Sequence, residues 1–232
     1  MHAPEDRSHF IFTLLYKPYA PLLCPLRTNS ESFACLLSCF LLFLFFFFFF
    51  FSLFSFFPIT MAVSVDPLVV GRVIGDVVDM FVPTVNMSVY FGSKHVTNGC
   101  DIKPSIAVSP PKVTFSGHPG ELYTLVMTDP DAPSPSEPSM REWVHWILAD
   151  IPGGTNPIRG KEILPYVGPR PPVGIHRYIL VLFQQKAPMG LVEQPPTRAH
   201  FNTRYFAAQL DLGLPVSTVY FNAQKEQANR RR

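Results

Sequence analysis

Beyond Met61 the chain has a single cysteine, Cys100, so an intramolecular disulfide framework is excluded there, as fits a reducing compartment. Enzyme signatures are also missing. There is no Gly-x-Ser-x-Gly elbow, no Walker loop, no cysteine pair at zinc spacing and no His-Glu-x-x-His, so neither metal ligation nor catalysis is expected. Cys100, in Asn98-Gly99-Cys100-Asp101, has no cationic neighbour in sequence and reads as a passive thiol. Charge is scarce: 16% of residues are charged and the net charge is +2, with only Arg230, Arg231 and Arg232 forming a basic run. A protein that grips phosphates of nucleic acid directly shows a basic face, and this sequence has none.

Phenylalanine is unevenly distributed. Of 22 phenylalanines, 15 precede Met61. No residue from Phe33 to Val65 is charged, and residues 36–57 are almost all Leu and Phe, long enough to span a hydrocarbon core as a helix. Three readings compete. A cleaved signal peptide fits poorly, because the run starts late and no small-residue cleavage pattern follows. A membrane anchor fits on length, with Lys17 and Arg27 holding the N-terminal side in the cytoplasm. The third reading comes from codons: Phe, Leu, Ser and Pro share pyrimidine-rich triplets, so the run has the composition of an untranslated leader, with Met61 as the native start. On that expectation residues 1–60 are a low-complexity leader and residues 61–232 are the folded domain.

Within 61–232, Asp66-Pro67 opens a helix, with Asp as cap and Pro at the first position. Leu68, Val69, Arg72, Val73, Asp76, Val77 and Met80 follow at helical spacing, predicting one short amphipathic helix that ends near Pro83. Strands are predicted at 87–91, 112–115, 122–127, 143–151, 178–183 and 216–221, and a second helix at 202–210. The 25 prolines keep the connections irregular. The expected fold is mainly β, antiparallel, with peripheral helices around one core.

Two segments carry chemistry. Thr128-Asp129-Pro130-Asp131-Ala132-Pro133-Ser134-Pro135 follows an apolar strand and reads either as a local Asx turn or as a rigid loop presenting two carboxylates. In the predicted strand 143–151, the two-residue period places Trp143, His145 and Ile147 on one face and Val144, Trp146 and Leu148 on the other. His145 is either a hydrogen-bonded core histidine or a ligand. His176-Arg177 opens another central strand. If these strand ends converge, Asp129, Asp131, His145 and His176 share a small pocket that could take an anion, with affinity rising as imidazole protonates near neutrality. A hydrolase built from these groups lacks a nucleophile.

These motifs, Asp129-Pro-Asp-Ala-Pro-Ser-Pro-Ser-Glu-Pro138 through Arg141-Glu-Trp-Val-His-Trp146, then Gly174-Ile-His-Arg-Tyr178 and Phe221-Asn-Ala-Gln-Lys-Glu226, resemble the plant phosphatidylethanolamine-binding protein (PEBP) family. The likeness runs from about Met61 to the end and is greatest to the Mother-of-FT-and-TFL clade. The position that is Tyr in floral promoters and His in repressors is Trp143 here, and the loop position that is Gln or Asp in those classes is Ala199. The resemblance implies an antiparallel β sandwich with a small anion pocket formed by Asp129, Asp131, Pro133, Trp143, His145, Pro172, His176 and Tyr178. It also implies that Met140 replaces a pocket tyrosine of animal relatives, and that Ala132-Pro133 and Arg141-Glu142 are cis. The implied ligand is phosphate or a phospholipid headgroup, with no cofactor.

The function implied by the resemblance is a non-enzymatic regulator of transcription in nucleus and cytoplasm. It would act in seed germination and dormancy through abscisic acid and gibberellin signalling, or in flowering. Partners implied are bZIP transcription factors, reached directly or through 14-3-3 adaptors, at a surface including Pro152, Arg159, Arg198, Ala199 and His200. The promoters' adaptor contacts fall on Gly120, Pro152, Arg159 and Pro188, of which Pro152 alone matches. Arginines are lost at Gly120 and Pro188, which weakens the adaptor expectation.

Overall fold

The computed structural model describes residues 40–45 and 65–227. Residues 40–45 form an exposed helical segment. The rest of the proposed anchor run, 36–57, lies outside the described residues, and no helix among those described is long and apolar enough to cross a membrane.

The unit from Val63 onward is built on two sheets. Nine strands supply them: β1 (Met87–Phe91), β2 (Lys94–His95), β3 (Cys100–Asp101), β4 (Lys112–Phe115), β5 (Leu122–Asp129), β6 (Trp143–Pro152), β7 (Lys161–Leu164), β8 (Ile175–Gln185) and β9 (Ser217–Gln224). The smaller sheet has the order β2-β1-β4 and the larger β3-β9-β8-β5-β6-β7. Val89, Phe91, Val113 and Phe115 of the small sheet pack on Leu125, Met127, Leu180 and Phe221 of the large one, giving the inter-sheet core. The opposite face of the large sheet is covered by Leu68, Val73, Val77, Ala207 and Leu212. Both faces of β5 and β8 are therefore buried, which is why 122–127 and 178–183 read as continuous apolar runs rather than alternating ones.

Pairing is antiparallel except for β3 against β9, where Cys100 and Asp101 pair in parallel with Phe221 and Asn222. Almost the whole unit separates these two strands, so no hairpin dictates their direction. Cys100 is half-buried and packs on the inter-sheet core as a small apolar group. The peptides Ala132-Pro133 and Arg141-Glu142 are both cis.

The single N-terminal helix does not form. Pro67–Val70 is one turn, with the Asp66 carboxylate accepting from Leu68 N at 2.8 Å as the sequence suggests. Arg72 then adopts φ 54 and Gly75 φ 105, leaving Val73–Asp76 as a distorted second turn. The reasons are tertiary. Gly71 O accepts from Arg177 Nη1 at 2.8 Å, and Gly75 O and Val78 O accept from Arg204 Nη2 at 2.8 and 2.9 Å. Two glycines weaken the helix, and two distant arginines take the carbonyls it would have used. At the other end the helix Thr203–Gln209 forms within the predicted bounds, capped by Asn202 on Tyr205 N.

Candidate functional site

The site lies where β5, β6 and β8 end together. Antiparallel pairing of β5 with β6 sets Asp129 opposite Trp143, and pairing with β8 sets Thr128 opposite Ile179, which brings His176 to the end of β5. The cavity there has a volume of about 400 Å³ and is lined by Asp129, Ala132, Pro133, Met140, Trp143, His145, Val167, Gly168, Arg170, Pro172, His176 and Tyr178. Strand ends converge as the motif reading required.

The simple alternation predicted for β6 fails at this point. Met127 pairs with Trp146 but Thr128 pairs with Val144, so one extra residue, His145, is inserted in β6 as a bulge. Trp146 and Leu148 then face the inter-sheet core, while Val144, Ile147 and Ala149 face the other side. The bulge lets His145 point into the cavity beside Trp143 instead of continuing a regular face. A second irregularity, with Asp150 at φ 52, adds one more residue to β6 between the Leu125–Leu148 and Tyr123–Ile151 pairs.

The two histidines have different environments. His145 is buried, and its Nδ1 donates to the Val167 carbonyl at 2.6 Å, so Nε2 is left as an acceptor. Its ring meets Tyr178 edge-on at 5.1 Å. Burial holds its pKa below the ordinary imidazole value, outweighing the Val167 carbonyl and the Asp129 charge. His176 contacts an acceptor on each side, Asp129 Oδ2 at 2.7 Å and the Val173 carbonyl at 3.0 Å. Burial opposes its charge, but the Asp129 bond and charge prevail and hold its pKa above the ordinary value. Both ring nitrogens of His176 are thus taken by acceptors, and neither is free for a ligand. For His145, burial moves protonation to the acid side of the ordinary imidazole value.

Asp129 satisfies both readings of its motif: Oδ1 accepts from Asp131 N at 2.7 Å as in an Asx turn, while Oδ2 holds His176. Asp131 does not line the cavity, contrary to the sequence expectation. Its carboxylate turns away to Arg177, accepting from Nε at 2.9 Å, Nη2 at 2.6 Å and the backbone N at 2.9 Å. Asp76 Oδ2 also meets Arg177 Nη1 at 3.0 Å. Asp131 is a support for the site floor, and a cation one residue beyond His176 was the sequence signal for it.

Sequence reasoning also missed Glu142, Val167 and Arg170. Glu142 is buried, and its carboxylate accepts from Thr203 N at 3.2 Å, from the Thr203 hydroxyl, and from the Thr128 hydroxyl at 3.1 Å. Its backbone exchanges two hydrogen bonds with Phe201, and Val144 N donates to Arg198 O at 2.8 Å. Segment 198–203 therefore lies along the start of β6. A carboxylate flanked in sequence by Arg141 and Trp143 gives no sign of a partner sixty residues away.

The expected partner surface is divided. Pro152 ends β6 and Arg159 is exposed in the 3-10 turn Pro157–Arg159. Arg198 is instead committed to the fold, donating to Val144 O at 3.1 Å, His145 O at 2.9 Å and Pro165 O at 2.7 Å. Ala199 is half-buried, and His200 is exposed at φ 59. Gly120 is exposed at φ 100, a backbone conformation that side chains rarely adopt. An arginine cannot be restored there without strain. Gly120→Arg is expected to lower stability by roughly 1 kcal/mol, read as a shift in the urea midpoint at constant slope.

Among the described residues no group of three or more His, Cys, Asp or Glu is placed to hold a metal. Fold and site together define a mainly antiparallel β protein with a small, mostly apolar cavity at the strand ends. A profile of the phosphatidylethanolamine-binding protein family matches residues 85–221, and the chain belongs to that family. It is 59% identical over 174 residues to Protein MOTHER of FT and TFL1 homolog 2 of Oryza sativa subsp. japonica, covering 74% of this chain and 100% of the relative. Protein TERMINAL FLOWER 1 of Arabidopsis thaliana is 50% identical over 171 residues, covering 72% and 96% respectively. Among solved structures, carboxypeptidase Y inhibitor complexed with its cognate proteinase matches with TM-score 0.63 at 25% identity, covering 73% of this chain and 98% of that one. A phosphatidylethanolamine-binding protein from Plasmodium vivax matches with TM-score 0.58 at 26% identity, covering 69% and 96%.

Proposed function

We propose that this protein is a non-enzymatic regulator that acts on transcription through protein-protein contacts, in seed germination and dormancy with abscisic acid and gibberellin signalling. The observation that carries the reading is 59% identity over the full length of a rice relative named for the Mother-of-FT-and-TFL group. The cavity chemistry supports it: His176 has both ring nitrogens occupied, and no serine, threonine or cysteine is among the lining residues. The partners proposed are bZIP transcription factors, met directly or through 14-3-3 adaptors, in nucleus and cytoplasm. Pro152, Arg159, Ala199 and His200 are the contact candidates. Arg198 acts by holding the loop. Seeds lacking the gene should germinate with an altered dose response to abscisic acid; an unchanged response would remove the seed role.

A second reading, an anion-binding cavity for phosphate or a phospholipid headgroup, is favoured by one observation: a buried imidazole with one free nitrogen beside an indole and an arginine. Since His145 is held below its ordinary 6.5, anion uptake should be flat above neutrality and rise only as pH falls below that value. Calorimetry with sulfate, whose charge is constant over this range, checks the sign. The rise should vanish in His145→Gln, and a maximum above neutrality would contradict the assignment.

A further inference from the structure

Every carboxylate near the cavity is already engaged. Asp129 accepts from Asp131 N and from His176, each at 2.7 Å. Both oxygens of Asp131 are held by Arg177, and Asp76 meets the same guanidinium at 3.0 Å. A ligand carrying an ammonium group therefore finds no free acid to receive it, and a buried charge without a partner is costly. Arg170 is the contrasting case. It lines the cavity and is exposed, and among the described residues its guanidinium makes no hydrogen bond or ion pair.

A guanidinium presents a planar set of donors that matches phosphate oxygens two at a time. The Trp143 indole N–H and the Tyr178 hydroxyl also line the cavity and make no hydrogen bond among the described residues, whereas Nε2 of His145 is an acceptor that turns donor only when the ring protonates, and Met140 adds no hydroxyl. This donor set favours a group with several equivalent anionic oxygens. It repels a nearby positive charge. An ammonium is left with uncharged partners, the Nε2 acceptor of His145 and the ring faces of Trp143 and Tyr178, and these are weaker contacts when a guanidinium lines the same cavity.

We propose that Arg170 sets the ligand class of this cavity: a phosphate monoester, with its two negative charges, in preference to the zwitterionic phosphodiester of an ethanolamine headgroup. This rests on the reading of the cavity as an anion site and goes beyond it in naming the class and the residue that selects it. The monoester could be a free phosphorylated small molecule or the headgroup of phosphatidic acid, and these share the same recognised group.

The test is calorimetry on the purified full-length protein with glycerol 3-phosphate, glycerophosphoethanolamine, inorganic phosphate and a short-chain phosphatidic acid. The wild type should bind glycerol 3-phosphate about tenfold more tightly than glycerophosphoethanolamine, the value of one charge-assisted contact. Arg170→Ala should erase that preference by weakening the monoester alone, and Arg170→Lys should keep part of it, with thermal unfolding unchanged in both because the side chain is exposed. Phosphatidic acid binding more tightly than inorganic phosphate would support the proposal and assign a lipid; the reverse would support it and assign a free phosphate. Equal binding of the two glycerol esters, unaffected by Arg170→Ala, would overturn the proposal and leave the anion site standing. If none of the four probes binds, the anion site itself falls and the proposal with it.

Discussion

Asp131→Ala should destabilise the protein by about 3 kcal/mol or more, because it leaves the guanidinium of Arg177 buried without its bidentate partner. The pair is well shielded, with side-chain exposures of 5% for Asp131 and 15% for Arg177. Arg177 also anchors Gly71 O and Asp76, so the loss would spread to the N-terminal turns. A double-mutant cycle with Arg177→Met should recover part of the loss, since removing both charges costs less than stranding one. The sign of the pH dependence follows from Asp131. Burial alone would raise its pKa, but the Arg177 bonds and charge outweigh burial and hold it below the ordinary 3.8. The stabilisation is therefore present above 3.8 and is lost as pH falls through the depressed folded value. Wild type and Asp131→Ala should converge in stability only on that acid side. Urea titrations at several pH values measure this directly; a constant gap down to acid pH would show that the pair does not act through its charge.

The second large effect is expected at Glu142. Its removal strands three donors, Thr203 N and the hydroxyls of Thr203 and Thr128, inside the protein. Glu142→Ala should cost about 3 kcal/mol, and Glu142→Gln about 1 kcal/mol, because the amide keeps one acceptor oxygen. Burial raises the Glu142 pKa above the ordinary 4.5, against the lowering bonds from Thr203 and Thr128. Its contribution is thus fully present below 4.5 and diminishes as pH rises through the raised folded value, opposite in sign to Asp131. The consequence for function is local. Phe201 and Thr203 hang on this residue, and with them the loop bearing Ala199 and His200. Amide exchange at 199–203 should accelerate in Glu142→Ala well beyond any change in β8; uniform acceleration would mean that Glu142 supports the whole fold and not this loop.

Much of this arrangement was legible in the sequence, and the failures have physical causes. The long central strands were visible because burial on both faces leaves continuous apolar runs, as from Leu122 to Met127 and from Tyr178 to Phe183. Strands β2 and β3, two residues each, were not, because their partners rather than their own side chains define them. Strand β7 was missed for a different reason: two of its four residues are exposed at the sheet edge. The bulge at His145 has no local signature, since an alternating pattern carries no mark of an inserted residue. At the site, Asp129, Pro133, Trp143, His145, Pro172, His176 and Tyr178 meet around one cavity, but spacing alone did not separate Asp129 from Asp131. What separates them is Arg177, whose position beyond His176 turns it to the other face of β8. Arg170 and Glu142 were unreadable because one acts by lacking a partner and the other through a segment distant in sequence.

The proposed contact with transcription factors is tested most plainly by direct binding. Purified protein would be titrated against seed-expressed bZIP factors, with and without a 14-3-3 adaptor, and complex formation followed by fluorescence anisotropy. Saturable binding that persists without the adaptor and weakens in Glu142→Ala, where the 199–203 loop is released, is the expected result. No complex with any bZIP factor under either condition, from protein shown to be folded, would contradict the account.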